Sequence, residues 1–282
     1  METNNKYNTK VTEEEIANGV KDEYGCIYSP DGKRLLEGNK GIIESYTIKE
    51  GTEVICDDAF SRCKYLQSIV IPDSVTEIGW NAFQWCDFLQ SIVIPDSVTE
   101  IYGWTFCDCQ SLQSIVIPES VTKIGNWAFS YCYGLESIVI PESVTEIGDR
   151  AFQDCFLQSI VIPKSVTKIG EKTFPLGIEI TSLSGRFVVE NDLLIDIVEK
   201  RLIQCIQDKD TIVIPESVTE IGDEAFYGCE SLQSVVIPES VTEIDGQPFY
   251  GCQSLQSIVI PKGTREHFEG LLDEDYHKLL KE

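Results

Sequence analysis

Histidine is the side chain whose charge changes near neutral pH and the commonest metal ligand, and this sequence holds 2, His267 and His277. They stand ten residues apart, on no recognisable metal spacing, so both read as solvent-facing. Cysteine is the next candidate, with 11 residues. Seven of them, Cys63, Cys86, Cys109, Cys132, Cys155, Cys229 and Cys252, fall at one recurring place in the sequence. Cys107-x-Cys109 lacks the two-residue gap of redox and zinc pairs. An odd count with a shared position points to buried free thiols acting as small hydrophobes.

Carboxylates are abundant, but they too recur at fixed intervals: Asp73, Asp96, Glu119, Glu142, Glu216 and Glu239 in one series, Glu77, Glu100, Glu146, Glu220 and Glu243 in another. A catalytic pair would break such a series, and a calcium loop would gather several oxygens in one short segment. No glycine-rich phosphate loop, Gly-x-Ser-x-Gly elbow or His-Glu-x-x-His motif occurs. The chain therefore does not read as an enzyme, and no metal or cofactor is expected.

The aromatic residues are distributed differently. All four tryptophans, Trp80, Trp85, Trp104 and Trp127, lie with Tyr102, Phe88, Tyr131 and Tyr133 inside residues 80–133. Exposed, such a cluster would anchor a protein partner or provide a stacking platform for sugar rings. The candidate partner-binding residues are Trp80, Trp85, Trp104, Trp127, Tyr131 and Tyr133. The competing candidate is a stripe of valines that includes Val93, Val116 and Val139.

Charge narrows the partners. The chain has 282 residues with 22 Lys+Arg against 47 Asp+Glu, a net charge of -25. Nucleic acid and anionic membrane surfaces need a basic face, which this composition does not supply. A hydrophobic content of 42% is enough for a packed core. The start, Met1 to Lys6, is polar and leads into Glu13-Glu14-Glu15, with no apolar signal segment or membrane span. A cytoplasmic monomer without membrane insertion is the expectation.

The elements that place these residues follow from an internal repeat. Pro72, Pro95, Pro118 and Pro141 are 23 residues apart, Pro163 follows after 22, Pro215 after 52, and Pro238 and Pro261 after 23 each. Numbered from Leu89 as position 1, the repeat is apolar at 1, 4, 6, 10, 13, 17, 18 and 21. Trp104 and Trp127 share position 16 and should stack. A lone coil cannot bury this edge, whereas stacked coils bury it continuously. The Ile/Val stretch reads as a strand pairing in parallel with its neighbour, with positions 3, 5 and 7 outward, and the glycines at position 14 read as tight corners.

The words Ile-Pro after the strand and Ala-Phe-x-x-Cys opposite it resemble the leucine-rich repeat class, specifically its BspA-like (Treponema-type) subfamily, over residues 46–180 and 209–263. The resemblance implies an α/β solenoid: a right-handed superhelix of about eight coils, with a parallel β-sheet on the concave face, β-hairpin insertions and a C-terminal helical cap. Five segments of one continuous domain are expected: an N-terminal cap of short helix and hairpin (1–45), a first array (46–180), a β-hairpin insertion (181–208), a second array (209–263) and an amphipathic helical cap (264–282). The resemblance also implies a bacterial surface or secreted protein, adhesive in character, that binds host or neighbouring-cell proteins. On this reading the protein is a non-catalytic interaction scaffold, and a carbohydrate-binding module is the alternative.

Overall fold

The computed structural model describes residues 9–282. The fold is a β-solenoid of about 11 turns with parallel sheets, and the chain clusters into two compact units, one ending at Leu157 and the other beginning at Gln158.

In the first unit, Ser45–Thr47, Ser68–Val70, Ser91–Val93 and Ser114–Val116 form one parallel sheet. Equivalent residues pair in register, Ser114 with Ser91, Ile115 with Ile92 and Val116 with Val93. The side-chain period of two then sends Ile92 into the core and leaves Ser91 and Val93 outside. A second wall is built from two-residue strands at positions 12 and 13, among them Glu100–Ile101, Lys123–Ile124 and Glu146–Ile147, again parallel and in register.

The core between the walls is a column of aromatic rings. Phe60, Phe83, Phe106, Phe129 and Phe152 stack with centroids 5.3, 5.5, 5.4 and 5.4 Å apart. All are buried, so each coil covers the ring of the coil before it. The N-terminal end is covered by helix Glu13–Asn18 and by antiparallel strands Val20–Lys21, Ile27–Tyr28 and Arg34–Glu37. Thr12 closes a capping box: its hydroxyl accepts from the Glu15 N–H at 3.2 Å and its own N–H donates to the Glu15 carboxylate at 2.9 Å. The last of these strands pairs in parallel with Val54–Ile55 and so hands over to the coils.

The second unit begins with Ser159–Ile162 paired to Glu179–Ser182. Antiparallel strands Phe187–Glu190, Leu193–Asp196 and Arg201–Cys205 follow, the last two joined through the turn at Glu199-Lys200. Arg201 then ties the insertion to the coils, bonding Glu171 and Asp245 at 2.7 Å each and also Glu220. Thr211–Val213, Ser234–Val236 and Ser257–Val259 repeat the parallel sheet.

Three local expectations change. The C-terminal segment is two short helices, Arg265–Leu271 and Glu274–His277, followed by strand Leu280–Lys281, which extends the sheet beside Ser257–Val259. Phe268, Leu272 and Leu280 still cover the apolar end. The prolines at position 7, such as Pro95 and Pro118, are buried rather than outward, because the strand stops at position 5 and its alternation stops with it. Gly79, Gly125 and Gly148 do not adopt left-handed backbone. They permit close approach: a Cβ on Gly125 would lie 2.6 Å from the Gly103 nitrogen of the preceding coil.

Candidate functional site

The aromatic candidates sit on the segment joining the second wall to the next strand, and their backbone is unusual. Positions 16 and 20 are left-handed in nearly every coil. Trp104 and Trp127 have φ of 61° and 59°, Trp85 58° and Tyr131 61°. The conformation lets alternate N–H groups point along the stack: Trp104 donates to the Asn126 carbonyl at 3.0 Å, Phe106 to Ala128 at 2.9 Å and Asp108 to Ser130 at 2.8 Å. For L-residues other than Gly, Asn and Asp this backbone is disfavoured by about 1–2 kcal/mol. The second array places Gly228 and Gly251 at position 20.

Held this way, the rings form a continuous tract. Trp104 and Trp127 stack at 4.7 Å with planes 9° apart, as their shared position requires. Trp127 continues to Tyr131 at 6.4 Å, Tyr131 to Tyr133 at 6.3 Å, and Tyr133 to Phe156 at 5.6 Å. Arg150, the next residue at position 16, places its guanidinium 4.9 Å over the Trp127 ring. Trp104, Trp127 and Tyr131 are half-buried, while Tyr133 is 38% and Phe156 60% exposed.

The other two tryptophans have different neighbours. Trp80, 47% exposed, stacks on Tyr102 at 6.1 Å and lies across Gly103, where a Cβ would meet its ring at 2.4 Å. Trp85 carries the guanidinium of Arg62 at 4.6 Å. The competing valines are open: Val93 and Val116, on the parallel sheet, are 64% and 59% exposed, and Val139, one coil further on and outside any strand, is 81% exposed.

Carboxylates border the tract. Asp108 and Asp154 share position 20 with Tyr131, one coil before and one after. Burial, then Asp154 and Asp108, push the Tyr133 phenol above its ordinary pKa. Asp154 is held by the Gln153 amide, which donates at 2.7 Å.

The remaining sequence candidates are structural. His267 Nε2 bonds the Val241 carbonyl at 3.1 Å and His277 Nε2 the Leu272 carbonyl at 2.9 Å. All eleven cysteines are free thiols. Among the described residues no group of three or more His, Cys, Asp and Glu is arranged to hold a metal ion, and no helix is long and apolar enough to cross a membrane.

Sequence reasoning missed Phe156 and Arg150 as members of the tract, and a second ladder in which Tyr227 and Tyr250 stack at 5.7 Å over Lys172. Phe156 was findable: it shares position 22 with Tyr133, but the 22-residue coil that ends there obscures the match.

Stacked coils with this sheet and this opposite wall define a leucine-rich repeat scaffold. The chain belongs to the family described as BspA type leucine rich repeat region, which matches residues 53–181 and 197–274 in 6 copies. A leucine rich cell surface protein of Faecalibacterium prausnitzii is similar in structure, with a TM-score of 0.52 and 25% identity over 90% of this chain and 97% of that one. A leucine-rich repeat protein of Bacteroides ovatus gives a TM-score of 0.56 and 28% identity over 86% of this chain and 68% of the other. One from Eubacterium ventriosum shares the fold at a TM-score of 0.58, with 22% identity over 83% and 75% of the two chains. No curated protein sequence matches.

Proposed function

We propose that this protein is a non-catalytic scaffold that binds another protein, and that the tract from Trp104 through Trp127, Tyr131 and Tyr133 to Phe156 is its contact surface, with Trp80 and Trp85 contributing. One observation carries the reading. Three tryptophans and a tyrosine occupy left-handed positions at which glycine, asparagine or aspartate would fold at lower cost. The fold fixes the left-handed backbone at these positions, and placing large rings there rather than glycine, asparagine or aspartate supports a functional surface. Large, rigid rings are also the residues that dominate protein interfaces.

A partner on a host or neighbouring cell fits the similarity to the Faecalibacterium prausnitzii leucine rich cell surface protein, which favours the surface over the cytoplasm. The carbohydrate reading is weaker, because a sugar needs an open ring face and Trp127 has Trp104 on one side and Arg150 on the other.

The test compares Trp104→Asn/Trp127→Asn with Val93→Glu/Val116→Glu for binding to surface proteins from neighbouring and host cells, after circular dichroism confirms that both variants fold. Asparagine tolerates the left-handed backbone, so only the rings are lost. Loss of two anchors should weaken binding by tenfold or more, since an anchor ring contributes about 2 kcal/mol. Unchanged affinity in the tryptophan pair with lost affinity in the valine pair moves the site to the sheet.

A further inference from the structure

The tract's charge environment specifies which chemistry its partner presents. Two of its region's rings already carry a guanidinium from the protein itself, Arg62 over Trp85 at 4.6 Å and Arg150 over Trp127 at 4.9 Å. These contacts show that the local geometry accommodates a planar cation on an indole face, where the ring quadrupole attracts it.

At the other end of the tract the rings are bordered by carboxylates. Asp108, Tyr131 and Asp154 occupy position 20 of three successive coils, one strand spacing of about 4.8 Å apart. Their backbones are fixed by the bonds of Asp108 to Ser130 at 2.8 Å and of Tyr131 to Gln153 at 2.9 Å. Tyr133 lies against Tyr131 and Phe156 against Tyr133, and both Tyr133 and Phe156 are exposed. Rings flanked by two carboxylates suit a guanidinium: the ring takes its face and the carboxylate its N–H edge, bidentately. An ammonium has no such plane. An acidic peptide would be placed beside two negative charges in a protein whose net charge is -25.

Resting on the proposed contact surface, we propose that the Tyr131, Tyr133 and Phe156 end of the tract, between Asp108 and Asp154, receives arginine side chains from a basic segment of the partner protein. Acidic surroundings steer that segment in, and the rings and the two carboxylates hold it.

The probe is a short peptide of alternating glycine and arginine, compared with the same peptide carrying citrulline, which keeps the shape and loses the charge. Binding is read by tryptophan fluorescence, because all four tryptophans lie within residues 80–127 and Trp127 touches Tyr131. The arginine peptide should bind about tenfold more tightly than the citrulline peptide and weaken as salt rises. Asp108→Asn/Asp154→Asn should cost about tenfold, and Tyr131→Asn/Tyr133→Ser a similar factor. Glu216→Gln/Glu239→Gln, which removes two exposed charges from the second array, should change affinity by less than about twofold.

Equal loss in the Glu216/Glu239 variant would reduce the effect to diffuse charge and overturn the proposal. No binding of the arginine peptide, or binding indifferent to the tyrosine variant, would also overturn it. Equal, ring-dependent binding of both peptides would remove the guanidinium and leave the contact surface standing. Failure of the surface itself is read separately, from the tryptophan and valine variants above.

Discussion

The thiol of Cys132 donates to the carbonyl oxygen of Phe106 at 3.1 Å, and Cys109 reaches Phe83 in the same way at 3.2 Å. Cys86 and Cys155 repeat the bond to Phe60 and Phe129. Position 21 thus needs a group small and apolar enough for the core that can still donate to the preceding coil, which is what a protonated cysteine offers.

That pairing makes stability sensitive to alkali. Burial pushes the Cys155 and Cys63 thiols from 9.0 up to about 12. The native state therefore holds protons that the unfolded chain releases, so their contribution is full below pH 9 and is lost as pH rises from 9 toward 12. Each such thiol should lower unfolding free energy by about 1.4 kcal/mol per pH unit within that window. Urea midpoints measured from pH 7 to pH 11 should stay level and then fall steeply; a flat profile would contradict ionisable thiols in the core.

Phe106 is sandwiched between Phe83 at 5.5 Å and Phe129 at 5.4 Å, with no exposed surface. Phe106→Ala should cost about 3–5 kcal/mol, since neighbouring coils cannot collapse into the gap without breaking their ladders. Phe226→Ala, whose ring stacks on Phe249 at 5.1 Å, should behave alike. Thermal melts unchanged by both substitutions would refute the register of the column.

Glycines separate two physical roles. Gly228 has φ of 72° and open space where a Cβ would project, so Gly228→Ala should cost only the left-handed backbone, about 1–2 kcal/mol. Gly125 has ordinary φ but abuts the preceding coil, so Gly125→Ala must separate two coils and should cost more. Denaturant titrations showing the reverse order would assign the position 14 glycines to turn geometry after all.

How far these relationships could be read in advance depended on whether a residue's type and its role agreed. Period-two alternation over Ser91-Ile92-Val93, the Phe column and the Thr12-x-x-Glu15 box all use residues suited to their places, and the repeat spacing put Trp104 above Trp127. Positions 16 and 20 were not legible, because Trp, Tyr and Arg there contradict the left-handed backbone they adopt. Strands Glu179–Ser182 and Leu280–Lys281 lack the Ile-Pro wording, so the count of coils fell short. Within the candidate site, Arg150 escaped notice because position 16 also holds Asn81, Lys172 and Glu224, so a charged residue there looks like ordinary solvent-facing variation.

The stacked indoles supply an optical check on the site that needs no partner. Trp104 and Trp127 lie nearly parallel at 4.7 Å, close enough for their transitions to couple, while Trp80 and Trp85 face Tyr102 and Arg62. The far-ultraviolet circular dichroism should therefore contain an indole exciton couplet. Trp104→Asn alone and Trp127→Asn alone should each abolish it entirely, because coupling needs both rings, whereas Trp80→Phe and Trp85→Asn should leave it intact. Because the ring stack is rigid only while the backbone at position 16 stays left-handed, the couplet should vanish with the unfolding of the first unit and not before. A couplet that halves in each single variant, or that survives in Trp127→Asn, would mean that the rings do not stack in solution, and the rigid surface proposed for partner binding would lose its basis.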